Sequence, residues 1–150
     1  MTDAVPWLVL VMRLILGGIF LAAGVLKFGN ITSFASQIAG FRILPTPLVA
    51  PLAGVLPVVE IIVGILLIVG FATRIIAWLA AAQVAIFTVA IASAVMRGLT
   101  ISCGCFGAND TTKTSWSEVA RDALFVILAV VVALRAPGMM SIDRRIDSTQ

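Results

Sequence analysis

The sequence predicts an all-α integral membrane protein, an antiparallel four-helix bundle in lipid with a short interfacial segment between the first and second helices. Three observations predict it. Of 150 residues, 61% are hydrophobic and only 11% are charged, whereas a soluble domain is about half apolar and about a quarter charged. Four runs reach or approach the roughly 20 mostly apolar residues that cross a bilayer. Clusters of Gly, Pro and polar residues separate those runs. The length fits one domain, residues 1–140, followed by a polar tail, residues 141–150. Ten basic residues against seven acidic give a net charge of +3, and most of the basic ones flank apolar runs. That placement suits contact with lipid head groups and not a nucleic-acid site, which needs Lys and Arg clustered on one face.

The first span is expected over residues 6–28, opening on Pro6 and Trp7. Proline suits a first helical turn and tryptophan suits the membrane interface. A cleaved signal peptide is the rival reading, but Arg13 falls inside the apolar run, so a retained helix is expected. Residues 29–45 ("GNITSFASQIAGFRILP") are amphipathic and too polar to span, so a short helix or loop along the interface is expected. The second span covers residues 46–71, with Pro47, Pro51 and Pro57 in its first half. Gly70 to Thr73 leaves a tight connection, making a hairpin with the third span, residues 74–97. The fourth, residues 116–134, follows "SWSE", which reads as a capping box from Ser115 to Glu118. Pro137-Gly138 ends it.

Four spans put both termini on one face and both long loops on the other. The charge rule ties: Arg74, Arg135, Arg144 and Arg145 lie on the terminal side, against Lys27, Arg42, Arg97 and Lys113. Within the spans, ionisable groups are costly and face protein partners. Arg13, Gly17, Phe20, Gly24 and Lys27 recur at helical spacing, so they form one protein-facing stripe. Gly17 and Gly24 admit a close neighbour. Measured from the expected helix ends, Arg13 and Glu60 lie at similar depth, and a buried Arg13–Glu60 pair is expected. Lys27, Arg121 and Asp122 are expected to cluster at the cysteine-loop end of that stripe, beneath the last loop. Each of these charges has a plainer role as bundle glue or, for Lys27 and Arg121, as a snorkelling group. Gln83 reads as an interhelical hydrogen-bonder.

That last loop holds both cysteines, in "LTISCGCFGAND", and the chain has no histidine. Three readings of Cys103 and Cys105 stand. They are incidental loop residues; they bind a soft metal ion, which needs ligands from a second copy in a homo-oligomer; or they form a reversible disulfide. Residues i and i+2 can be bridged in a turned backbone, and Gly104 permits that turn. A strained bridge is the more easily reduced one. Lys113, Arg121 and the start of the fourth helix favour a thiolate, and Phe106 offers a partner an apolar contact. One cysteine is expected to be exposed for attack.

Four segments together, in order, resemble the DoxX/MauE family of small bacterial membrane proteins: "RLILGGIFLAAGVLKF", "LPVVEIIVGILLIVG", "CGCFG" and "EVARDALFVILA". "CGCFG" ahead of the helix carrying Arg121 resembles the MauE branch. The resemblance implies a four-helix membrane protein that performs or supports thiol–disulfide exchange, with a thioredoxin-like or exported cysteine-containing partner. It also implies links to membrane oxidoreductases and to quinone, while no further cofactor is indicated. Carried over by position, Cys103 and Cys105 would be the redox pair, with Arg13, Lys27, Glu60, Arg121 and Asp122 as supporting positions. Such a pair faces the oxidising side, so the termini are expected in the cytoplasm and the cysteine loop outside. Two readings of other kinds stand beside it: a non-catalytic scaffold that docks a soluble oxidoreductase, and a small-molecule carrier built on the buried Arg13–Glu60 site.

Overall fold

The computed structural model of the protein describes residues 4–103, 112–136 and 142. Cys105, Gly104, Phe106, Lys-flanking loop residues up to 111, Pro137-Gly138 and nearly all of the polar tail lie outside the described residues. The described part is all-helical: α1 (Ala4–Phe28), α2 (Ile31–Gly40), α3 (Thr46–Val69), α4 (Thr73–Met96) and α5 (Trp116–Arg135). Residues 5–28 of α1, together with α3 and α4, are long and apolar enough to cross a membrane. Alpha5 is not among them, because Glu118, Arg121 and Asp122 occupy its first two turns. Large apolar side chains such as Ile75, Ile86, Val89 and Met96 point outward. In lipid such a surface carries no hydrophobic penalty, and the chain reads as a membrane protein.

Helix ends follow local chemistry. Alpha3 accepts Pro47 in its first turn, where no intrahelical donor is needed. It ends at Gly70 in the left-handed conformation, whose N–H returns to Leu66 O at 2.8 Å. Ala72 is also left-handed, with φ 47°, which closes the α3–α4 hairpin in three residues, Gly70 to Ala72. The capping box expected at α5 does not form. Ser115 Oγ instead shares a hydrogen bond with Ser117 Oγ at 2.6 Å, and Glu118 turns to Arg121.

The main core draws on four helices: Leu16 and Phe20 from α1, Val63 and Leu67 from α3, Ala77 and Ala80 from α4, and Ala129 and Val132 from α5. Alpha1 and α3 run antiparallel and touch through backbone. A Cβ added to Gly64 would lie 2.6 Å from Leu21 N, and one added to Gly24 would lie 2.8 Å from Pro57 O. The glycine stripe read from the sequence thus marks this contact.

Alpha2 is a helix where a helix or loop was expected, and it is packed against protein. Phe34 and Ile38 are buried against Val49 and Ala53 of α3. The first half of α3 therefore runs past the end of α1 and lies on α2, an offset that decides where the charged residues meet.

Candidate functional site

Lys27 sits one residue from the end of α1, and Glu60 sits mid-way along α3. The α1–α3 offset brings them together: Lys27 Nζ donates to Glu60 Oε1 at 2.6 Å, with both side chains buried. The ammonium also lies 5.2 Å from the ring centroid of Phe34 and 5.1 Å from that of Phe87. Ring faces attract a desolvated cation, so one lysine ties α1 to α2, α3 and α4. Glu60 Oε2 is buried and accepts no hydrogen bond among the described residues.

The Arg13–Glu60 pair expected from the sequence is not formed. Gly17 lies against Gly64 and Ile68, and Gly24 against Pro57 and Ile61. This register puts Arg13, 1% exposed, level with the α3–α4 turn. It is 14 residues from Lys27, or about 21 Å of helix. Counting depth from the start of α3 failed because the first half of α3 is matched by α2 and not by α1. A small-molecule carrier site built on Arg13 and Glu60 together has no basis in this arrangement.

The structure does bring together Lys27, Glu60, Arg121 and Asp122. All four line a cavity of about 60 Å³, with Phe20, Gln83, Phe87 and Phe125. Asp122 Oδ1 accepts from Arg121 Nη2 at 3.0 Å, and Glu118 binds Arg121 from the preceding turn. Two carboxylates therefore balance the guanidinium. Arg121 was expected to favour a thiolate, but its charge is already matched by Glu118 and Asp122.

A second cavity, of about 300 Å³, lies between α2, the first half of α3 and the second half of α4. Its walls are almost wholly apolar, including Ile38, Leu52, Leu56, Ile86 and Ala90. Three exceptions line it: Gln37, Gln83 and Cys103. Gln83 and Phe87 belong to both cavities and form the partition between them. Gln83 was expected to bridge helices, yet its Nε2 is buried with no hydrogen-bond partner among the described residues.

Cys103 is placed by a short antiparallel ladder at the base of its loop. Its N–H donates to Thr112 O at 3.0 Å, and Thr114 N–H donates to Ile101 O at 2.8 Å. Thr114 Oγ1 adds a bond to Leu99 O at 2.7 Å. Arg97 Nη2 donates to Phe41 O at 2.6 Å, pinning α2 to the end of α4. Between these anchors Cys103 is packed with Phe41, Ile91 and Ala94 and is 1% exposed. It is not the exposed cysteine expected for attack by a partner.

The family model for "Methylamine utilisation protein MauE" matches residues 5–135. The chain belongs to the MauE family. It is similar to the methylamine utilization protein MauE of Paracoccus denitrificans, 35% identical over 134 residues, or 89% of this chain and 72% of that one. It is 34% identical to MauE of Paracoccus versutus over 128 residues, 85% of this chain and 69% of that one. No solved structure matches the chain. The matched region takes in Cys103, Cys105 and every charged residue discussed here except the tail arginines.

Several side chains at this MauE-family site escape a sequence reading. Phe34 and Phe87 look like ordinary core aromatics until Lys27 is found between them. Gln37 carries a faint signal, as a lone amide beside Phe34, Ile38 and Phe41 on the inward face of α2. Among the described residues, no group of three or more His, Cys, Asp or Glu is placed to hold a metal ion.

Proposed function

We propose that this chain spans the membrane four times and exchanges disulfides through Cys103 and Cys105, oxidising a thioredoxin-like or exported cysteine-containing protein. The termini lie in the cytoplasm and the cysteine loop on the extracytoplasmic side. Alpha5 is the fourth span, its charged first turns shielded by Lys27, Glu60 and the partners of Arg121. The domain is residues 1–140, and residues 141–150 are a tail outside it. The observation that carries the reading is the setting of Cys103: a buried thiol two residues from a second one, held by a backbone ladder and lining an apolar cavity.

In the reaction, a partner thiolate attacks the Cys103–Cys105 bond at Cys105, because Cys103 is enclosed. Cys103 leaves as the thiolate, a mixed disulfide forms at Cys105, and a second partner thiol displaces Cys105. The partner loses two electrons and two protons and the pair gains them. Roles therefore differ. Cys103→Ser should trap a mixed disulfide through Cys105, whereas Cys105→Ser should trap none. Unaltered oxidation of the partner by the double variant would end the proposal. Thiol labelling of intact cells with an impermeant maleimide after reduction should modify Cys105, which fixes the side of the loop.

The enclosure of Cys103 also suits a purely structural staple in a scaffold that docks a soluble oxidoreductase. That reading requires a bridge that survives mild reductant, which titration with dithiothreitol measures.

A further inference from the structure

The cavity of about 300 Å³ is far larger than the water-sized voids that packing leaves in a protein interior. Its rim residues Ile43, Leu44, Leu52 and Ile86 are exposed, and on a membrane protein such a rim meets lipid. Gln83 closes the inner end, where it also lines the polar cavity of Glu60. From Gln83 to Arg97 is 14 residues of α4, or about 21 Å, the depth of one leaflet with its head groups, roughly 20–22 Å. An almost wholly apolar space open to the bilayer takes hydrocarbon and not water.

Cations ring the loop end of this space. Arg97 Nη2 donates to Phe41 O at 2.6 Å, so its guanidinium sits beside the backbone of Arg42, whose neighbours Phe41 and Ile43 both line the cavity. Both arginines are exposed. Arg42 holds a left-handed backbone, φ 52°, a conformation costly to a residue with a Cβ. Lys113, paired with Ser102 across the short ladder, is a third exposed cation on that face. Each described carboxylate is already buried and bound, Glu60 to Lys27 and both Glu118 and Asp122 to Arg121. Among the described residues the collar of Arg42, Arg97 and Lys113 therefore has no counter-charge and suits an anion from outside the chain.

We propose that this cavity holds one acyl chain of an anionic phospholipid, drawn from the leaflet on the cysteine-loop side, with the phosphate between Arg42 and Arg97. Guanidinium groups hold phosphate oxygens through charge-assisted hydrogen bonds, and Lys113 adds attraction at the surface. Gln37 lines the cavity four residues before Phe41, about 6 Å of helix below the collar. That is the depth of the ester carbonyls, at the inner edge of a head-group layer roughly 5–7 Å thick. Gln37 Oε1 is buried with no hydrogen-bond partner among the described residues; its amide, which carries donors as well as an acceptor, can turn an N–H to an ester carbonyl. A zwitterionic lipid offers the same chain, esters and phosphate, but its own cation cancels the charge the collar attracts. The site stands whether or not the cysteines exchange disulfides.

The test is titration of the full chain in detergent with phosphatidylglycerol and, separately, with phosphatidylcholine of the same acyl chains, counting bound lipid by native mass spectrometry. One phosphatidylglycerol should bind saturably, at least about tenfold tighter than phosphatidylcholine. Arg42→Gln and Arg97→Gln should each weaken phosphatidylglycerol about fivefold and leave phosphatidylcholine as it was. Arg97→Lys, which keeps the charge, should keep most of the preference. Gln37→Leu should weaken both lipids alike, by about fivefold, the effect of one hydrogen bond. Ala90→Phe, and separately Leu52→Trp at the rim, should abolish binding of both lipids with helical content kept. Equal affinity for the two lipids, or a preference unmoved by both arginine-to-glutamine variants, overturns the proposal. So does phosphatidylglycerol binding that survives both bulky variants, the mark of a head-group contact on the surface alone. In the unmodified chain, glycerophosphoglycerol, the head group without chains, should compete at least about a hundredfold more weakly than the lipid; competition at matching concentration removes the cavity from the site.

Discussion

Along α3, the side turned to α1 carries Gly64 and the backbone of Pro57, and α1 answers with Gly17 and Gly24, so that main chains touch. The side turned to α4 behaves differently along its length. Near the hairpin, Val63 and Leu67 meet Ala77 and Ala80, but beyond Glu60 the two helices part around a 300 Å³ cavity. In lipid there is no hydrophobic drive to close such a gap, since tails are as apolar as leucine, and contact needs small residues that let backbones approach. Alpha1 and α3 have them; the cavity walls have Leu52, Leu56, Ile86 and Phe87 instead. The tight contact sets the register, and the register delivers Lys27 to Glu60 at the cavity's edge. One region makes the other possible.

The sharpest way to break that relation is to remove half of the ion pair. Lys27→Ala or Glu60→Ala leaves one charge buried without its partner, which should cost about 3–5 kcal/mol. The expected outcome is a large loss of stability in detergent unfolding curves. Replacing both, as Lys27→Met with Glu60→Leu, should recover most of it, because a buried pair is offset by its own desolvation. Next in size is the glycine contact. Gly64→Ala should destabilise by about 1–3 kcal/mol, since its Cβ would strike the backbone at Leu21 and Gly17. Gly54→Ala, with nothing within 4 Å of the added carbon, should stabilise by up to about 1 kcal/mol through helix propensity. If the two alanines behave alike in the same unfolding assay, the tight contact is not what sets the register.

A third variant sharpens the contrast from the other region. Ala90→Leu adds volume into the cavity and should be neutral or stabilise by about 0.5–2 kcal/mol. Ala94→Leu, one turn further along α4 at a fully buried site packed with Cys103, should destabilise by about 1–3 kcal/mol. Opposite signs at residues four apart, read from the same melting curves, are the signature of a real cavity.

These particulars show why some of the architecture could be read from the residues and some could not. Helix positions and the glycine stripe are local: apolar length, Pro47 near a start and Gly70 at an end fix them within a few residues. The burial of Arg13 and Lys27 follows from a single helix face. Pairing is not local. It depends on how far α3 runs past α1, and that is set by α2, whose Phe34 and Ile38 carry the periodicity of a surface helix and of a buried one alike. The partners of Glu60 and the setting of Cys103 both hang on that packing, so the sequence points to the right polar residues and to a wrong pair.

The smallest effect lies in the turn that joins the two regions. Ala72 holds a left-handed backbone, φ 47°, immediately before α4, a conformation that costs a residue with a Cβ about 1–2 kcal/mol. Glycine adopts it freely but loses more entropy on folding, about 0.5–1 kcal/mol. The net expectation for Ala72→Gly is a gain of about 0.5 kcal/mol, readable as a small rise in the unfolding midpoint. The turn sits beside the buried Arg13 end of the molecule, about 21 Å of helix from Lys27, so partner oxidation should stay as it is. A change in it would mean that strain in the hairpin is felt near Lys27 and Cys103, and that the end holding Arg13 and the end holding Lys27 are mechanically one unit.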